Sequence, residues 1–377
     1  MKKIFLILLA LSLCSCTRAP IDISSSHSEE KTEILLACPE EYSEIESLTK
    51  AFEKENPEIK ISIIKIDSDD DFAYAIKALF SGTHTPTLVF TEARYLNELS
   101  DNLLDLSDEL WTSNAIPNSL FEFNREGEIL AMPAEIEGIG FVYNRKVIET
   151  AGINPENINS VERLAQTAEY LSKKLPELKE KHENLKAVFS APDEQTERYL
   201  VNAVVSQHCS SPLEEIDPSL SDGFKALLDL QYQYGEKTPE EHSIITLKSH
   251  KSSCGSWEDF DILPIPVLGA SQDSIILNVP TCWALNKAAT KSEQTAAKEF
   301  LLWIYTSETG SRIISEKLGW LSPFDNTPKI PDTPVSKTVR QYALSAKTMP
   351  YVLNGIDEEA YDKIRSKLNA PQETPTQ

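Results

Sequence analysis

The chain has 377 residues, with 36 lysines and arginines against 59 aspartates and glutamates, a formal net charge of −23 at pH 7. So strong an acidic excess, with no basic block, excludes nucleic acid and anionic membrane as partners recognised by charge. The length suggests two domains, and a 41% hydrophobic content is enough for real cores, although twelve glycines is low for a chain of this size.

Lys2 and Lys3 precede an apolar run over residues 4–13, too short to span a bilayer but right for a secretory signal. The run ends in Leu13-Cys14-Ser15-Cys16, which resembles a lipobox. Residues 1–15 are therefore read as a lipoprotein signal peptide and Cys16 as the lipidated residue; Cys14 is the poorer site because Leu13 before it is not small. Residues 16–32, Ser-rich with Pro20, read as a flexible tether. No later stretch approaches the ~18 apolar residues of a spanning helix. The mature chain is expected in the cell envelope, membrane-anchored by lipid and facing the periplasm or cell exterior. Four cysteines remain, Cys38, Cys209, Cys254 and Cys282; they allow three full disulfide pairings, with no choice among them from sequence.

In chain order, residues 33–38 read as a buried strand. After Pro39, Ile45, Leu48 and Phe52 fall at helical spacing, and Asn56-Pro57 ends that helix. Ile59, Ile61 and Ile63 alternate as in a strand. Residues 72–80 suggest a second helix and 87–90 a short buried strand. Strands alternating with helices imply βαβ units and mostly parallel sheets. A strand at 139–143 meets an Asn-Arg turn and a short helix ending at Gly152. From Ser160, a plausible cap, Leu164, Ala168, Leu171 and Leu175 share one helical face. Further helices are expected over 220–234 and 292–305 and from Ser307 to a stop at Gly319. A long strand over 275–285 is interrupted at Pro280. The Pro-rich stretch 327–334 reads as a linker before two short helices that end at Leu368, and 371–377 as a disordered tail.

Motifs for chemistry are weak. Ser47-Leu-Thr-Lys50 and Ser100-Asp-Asn102 have the letters and order of penicillin-recognising enzymes, but Lys-Thr-Gly is absent downstream. His208-Cys209 and His242, His250 and Cys254 contain metal-ligand types without zinc spacing. No metal, no cofactor and no enzymatic activity are expected.

The string Met132-Pro133 through Tyr143-Asn144-Arg145 and Ala151-Gly152 to Asn154 resembles the extracellular solute-binding proteins of ABC transporters, family 1, which includes maltose-binding protein. Further pieces are similar to that family in order and spacing: 52–57 with Ile59-Lys60-Ile61, Gly255-Ser256-Trp257, Pro264 with Pro266, 283–301, 319–323, and Met349-Pro350. Thr87 stands where the family has an Asp-led strand. The resemblance implies an α/β, two-lobe periplasmic-binding-protein-like (Venus-flytrap) fold with lobe one at 33–134 and 284–322 and lobe two at 137–281 and 331–370. Hinges would lie at 133–137, 279–282 and 320–323. It further implies a solute-binding subunit of an importer, a monomer with a small-molecule solute, a carbohydrate or similar polyol, and with ABC permease subunits as partners. The alternative is an envelope lipoprotein using the same fold as a sensor or structural/adhesion module. By matching, the ligand-binding residues would be Glu40, Thr91, Glu92, Arg94, Glu137, Trp257 and Tyr351; carboxylates and Arg bond hydroxyls while an aromatic covers a sugar face. Sugar binders of the family often have an aromatic where this chain has Thr91. The same fold would bring Cys38, Cys254 and Cys282 near the hinge, where a disulfide is expected; Trp283, Trp303 and Trp320 are expected to pack.

Overall fold

The computed structural model describes residues 31–67, 72–206, 220–251, 257–267 and 273–369, the side chains of Leu220 and Trp257 excepted. The signal peptide, Cys16, Cys209, Cys254, the body of the tether and the tail lie outside the described residues.

The chain opens with β1 (Thr32–Pro39), α1 (Ile45–Glu55), β2 (Ile59–Ile66), α2 (Phe72–Phe80), β3 (Leu88–Glu92) and α3 (Leu96–Leu99). A small hairpin, β4 (Asn124–Arg125) and β5 (Glu128–Ile129), leads to β6 (Met132–Pro133). Then come β7 (Glu137–Asn144), α4 (Arg145–Thr150), α5 (Val161–Lys181), β8 (Ala187–Ser190), α6 (Glu194–Val205), α7 (Leu220–Tyr234), β9 (Gly235–Glu236), β10 (Ser243–Ser249), β11 (Phe260–Leu263) and β12 (Ile275–Asn278). The last part holds β13 (Thr281–Leu285), α8 (Lys291–Thr306), α9 (Glu308–Glu316), α10 (Pro334–Leu344), β14 (Thr348–Pro350) and α11 (Glu358–Asn369).

Two sheets carry the fold. The first has the order β2-β1-β3-β13-β6, and the second β14-β12-β7-β10-β8-β9, with β11 also paired to β7. The expected two-lobe α/β architecture stands, but the sheets are mixed rather than mostly parallel. β1 runs parallel to β2 and β3, whereas β13 is antiparallel to β3 and β6, and β7 is antiparallel to β10, β11 and β12. These reversals belong to strands adjoining a passage between sheets, which carries the chain in without the crossover helix a parallel neighbour needs. For the same reason the expected strand 275–285 is two strands in two sheets, broken at Val279-Pro280.

β1 sits between β2 and β3 with helices on both faces, so its run Ile34, Leu36, Ala37 and Cys38 is buried without alternation. On one face, Ile34, Leu36, Phe90 and Trp283 pack against α1, α8 and α9 through Leu48, Phe52, Phe300, Ile304 and Ile314. α8 begins in a capping box, with Glu293 N–H donating to Thr290 Oγ1 at 3.3 Å and Thr290 N–H to Glu293 Oε2 at 2.7 Å. On the other face, Ala37, Val89 and Cys282 join a core that continues through Ile136 to Val142, Ile262, Ile275, Leu277 and Val339 of the second sheet and α10. The two sheets therefore share an apolar seam. The rest of the second sheet has its own core against α5, α6, α7 and α11.

Cys38 and Cys282 are buried free thiols. They fall in the cores of opposite faces of the first sheet, on strands separated by β3, about 9–10 Å by strand spacing and beyond bridging reach. The disulfide expected at the hinge is therefore not formed by these two; burial pushes the Cys38 thiol up to about 11.

Candidate ligand-binding cleft

Three passages join the sheets, at 134–136, 279–280 and beyond Trp320, and they are laced together. Ala134 N–H donates to Thr281 O at 3.0 Å, Ile136 N–H to Leu321 O at 2.9 Å, and Tyr305 Oη to Ala134 O at 2.7 Å while accepting from Trp283 Nε1 at 3.0 Å. Among them lies Glu135, 1% exposed, with its carboxylate against Lys251 Nζ and accepting from Thr281 Oγ1 at 3.4 Å. Burial outweighs Lys251 and pushes the Glu135 carboxyl up to about 7.

Beside this junction an aromatic stack fixes the end of the first sheet. Phe90 is 4.6 Å from Trp283 and lies parallel to Trp320 at 5.5 Å. Tyr42, in the turn after β1, meets Phe90 edge-on at 4.9 Å. Burial raises the Tyr42 phenol, and the carboxylates of Glu92, Glu135, Glu41 and Glu137 raise it further. From the second sheet's side comes Tyr199 of α6, whose phenol is raised by burial and then by Glu137. Its ring meets Tyr351 edge-on at 6.3 Å, and both phenols hydrogen-bond Gln195. Burial pushes the Tyr351 phenol up to about 12. Glu137 thus lies in the electrostatic reach of tyrosines from both sides.

A polar chain extends from it. Asn278 Nδ2 donates to Glu137 Oε2 at 3.4 Å, and Asn354 Nδ2 to Asn278 Oδ1 at 3.1 Å. Asn354 Nδ2 also contacts both Glu122 oxygens, at 2.7 and 2.9 Å, and burial pushes the Glu122 carboxyl up to about 8 against that bond. Glu122 precedes β4 on the first sheet's side, whereas Asn354 follows β14. Nearby, Asn118 Nδ2 donates to Thr348 O and approaches Thr348 Oγ1, both at 3.0 Å.

Of the residues expected to bind ligand, the structure brings Glu92, Glu137 and Tyr351 into this region. Arg94 lies over the Tyr95 ring at 4.7 Å with its Nε 2.9 Å from Glu92 Oε2, so its charge is already engaged. Thr91 is fully buried in β3 and donates from Oγ1 to Glu92 O at 3.3 Å, an inward position rather than one at the strand's exposed end. Glu40 is exposed in the first turn after β1 and joins none of these contacts. The Trp257 backbone starts a short turn before β11; its side chain lies outside the described residues. Sequence reasoning missed Tyr42, Glu122, Glu135, Tyr199, Asn278 and Asn354. Glu135 lies in the passage between β6 and β7, outside either strand; it and the others depend on contacts distant in sequence.

The residues of the two short enzyme-like motifs are engaged in local contacts. Ser47 Oγ donates to the Glu44 carbonyl at 2.8 Å, Lys50 pairs with Glu46 at 2.9 Å, and Ser100 Oγ donates to the Asn97 carbonyl at 2.9 Å. Among the described residues no group of three or more His, Cys, Asp or Glu is placed to hold a metal ion, and no helix is long and apolar enough to cross a membrane.

The two-sheet α/β scaffold is shared with solved solute-binding proteins, and the sequence comparisons point to the same family. The family described as bacterial extracellular solute-binding protein matches residues 47–203. The melibiose/raffinose/stachyose-binding protein MelE of Bacillus subtilis (strain 168) is 27% identical over 160 residues, 41% of this chain and 37% of that protein, so the match spans little more than a third of the relative's length. A family 1 extracellular solute-binding protein from Bifidobacterium longum subsp. infantis shares the fold with a TM-score of 0.66 at 16% identity, covering 90% of this chain and 94% of the other. RafE, solved in complex with raffinose, does so with a TM-score of 0.63 at 14% identity, covering 89% and 94%. The resemblance read in the sequence is borne out at the level of family and fold.

Proposed function

We propose that the chain is the extracytoplasmic solute-binding subunit of an ABC importer, taking up a carbohydrate or similar polyol and performing no chemistry on it. The observation that carries this reading is Glu137, which opens β7 at a passage between the sheets, accepts from Asn278 at 3.4 Å, and whose charge raises the phenols of Tyr42 on one side and Tyr199 on the other. Carboxylates and amides accept from and donate to hydroxyls, and tyrosine rings cover the apolar face of a sugar. The similarity to proteins named for binding melibiose, raffinose and stachyose supports the solute class. Lobe one is assigned to 33–134 and 284–322 and lobe two to 137–281 and 331–370, closing on solute by bending at 133–137, 279–282 and 320–323. Glu92, Glu137 and Tyr351 are the ligand contacts best supported among those expected, with Tyr42 and Tyr199 added. Lipid on Cys16 would hold the protein at the membrane beside its permease subunits.

Isothermal titration with raffinose, melibiose and stachyose tests the reading. A saturable heat for at least one sugar is expected, weakened about tenfold or more, roughly 1.4 kcal/mol, by Glu137→Ala. Sugar binding that is indifferent to Glu137→Ala and Tyr199→Ala would remove the proposed site.

A further inference from the structure

Beside the three passages, polar side chains tie the two halves of the molecule together. Asn118, held at φ 69°, a left-handed conformation that asparagine tolerates, donates from Nδ2 to Thr348 O of β14 at 3.0 Å. Arg340 of α10 donates from Nη2 to Asp325 O at 2.8 Å, and Asp325 is bound in turn through its N–H to Asn114 O at 2.9 Å. The loop after β14 comes just as near to the first sheet's half: a Cβ on Gly355 would lie 3.6 Å from the Arg94 carbonyl oxygen. The residue before it, Asn354, supplies the last tie, its Nδ2 meeting the two Glu122 oxygens at 2.7 and 2.9 Å. Of these ties, only Glu122–Asn354 contains a group that can change its charge near neutral pH.

Glu122 is only partly exposed, and among the described residues its oxygens meet the Asn354 amide and no cation. The internal segments outside the description, 68–71, 207–219, 252–256 and 268–272, contain no lysine or arginine to serve as a counter-ion. Facing Glu122 are the Cys282 thiol of β13 and the Tyr351 phenol after β14, both kept neutral by burial. Beyond Asn278 lies the Glu137 carboxylate, and beyond Gly355 lies Arg94, whose guanidinium is engaged with Glu92. A carboxylate formed here would be poorly hydrated and unpaired, and burial accordingly holds the carboxyl up at about 8. Ionisation therefore works against the apposed halves, and parting them gives the charge water. We propose that Glu122 and Asn354 form a proton-controlled clasp, in which protonated Glu122 holds the two halves together and loss of the proton lets them part. The inference rests on the reading that these halves are lobes that move. By linkage, the equilibrium constant for parting rises by up to about tenfold per pH unit between the ordinary glutamate value and about 8, and is level above it.

The test is small-angle X-ray scattering from the whole chain, without solute, at pH 6 and pH 8.5 and equal ionic strength. The parent should show a larger radius of gyration at pH 8.5. Glu122→Gln, whose amide oxygen still accepts from Asn354 but cannot ionise, should show one radius at both pH values. Asn354→Ala, which removes the donor and keeps the carboxyl, should be enlarged at pH 6 as well. Glu135, whose carboxyl also titrates in this range, is intact in both variants, so the comparison isolates Glu122. A parent radius that does not change with pH, or that changes equally in Glu122→Gln, overturns the clasp. Adding raffinose at pH 6 separates this inference from the reading it rests on. Contraction with raffinose but no pH response ends the clasp and leaves the moving lobes standing; no response to either counts against both.

Discussion

Glu122 and Glu135 hold carboxyls well above the ordinary glutamate value for the same first cause, burial. For Glu122, raised to about 8, the native chain keeps a proton that the unfolded chain has released between about pH 4.5 and 8. Stability therefore falls as pH rises through that window and is level above it. Glu122→Gln removes this loss, so it should be more stable than the parent at pH 8.5, by up to about 5 kcal/mol, with a higher Tm, and match it near pH 4; calorimetry at the two pH values decides. Lys251→Met leaves the buried Glu135 carboxylate without its cation. The expected cost is about 3 kcal/mol at pH 8.5, shrinking toward pH 5, where the carboxyl of about 7 is protonated; an equal cost at both would show that Lys251 acts by packing alone. These two residues also mark how far the sequence could be read. Glu137 was legible only through its spacing before Tyr143 in the family resemblance, and Glu135, in the passage before β7, carried no comparable signal. Glu122 could not, because its partner Asn354 lies 232 residues away.

Individual elements were more legible than their pairing. The limits expected for 72–80 and 220–234 coincide with α2 and α7, because helical periodicity and local breakers are written within the segment itself. Ser160 caps α5, its Oγ accepting from Arg163 N–H at 3.2 Å, yet that helix runs past Pro176 to Lys181, further than its apolar face suggested. The interruption expected at Pro280 in the 275–285 run is the break between β12 and β13, but that the two halves serve different sheets was not legible. Strand direction was equally hidden, since an apolar run fits a parallel or an antiparallel neighbour. Gly140 is needed by one such antiparallel pair. A Cβ there would sit 2.4 Å from the Leu263 carbonyl oxygen and 2.9 Å from Ile262 Cγ1, so β11 could not stay against β7. Gly140→Ala should cost about 2 kcal/mol or more by chemical denaturation; a neutral effect would mean that the β7–β11 pair is not held in this register.

At the scale of the molecule, the seam from Ala37 through Ile136 to Leu277 and Val339 joins the two sheets, while Glu122–Asn354 and Asn118–Thr348 tie polar groups across them. On the proposed function, closure on a solute would exchange such contacts for contacts with ligand, and solute affinity and lobe geometry would be one equilibrium. The most direct measurement is a thermal-shift panel on the whole chain with mono- and oligosaccharides, sugar alcohols, amino acids and short peptides. A solute at a hundred times its dissociation constant adds about 2.7 kcal/mol to native stability. The account predicts a shift confined to carbohydrates or polyols and lost in Glu137→Ala. A shift produced only by amino acids or peptides, or none across the panel, would contradict it.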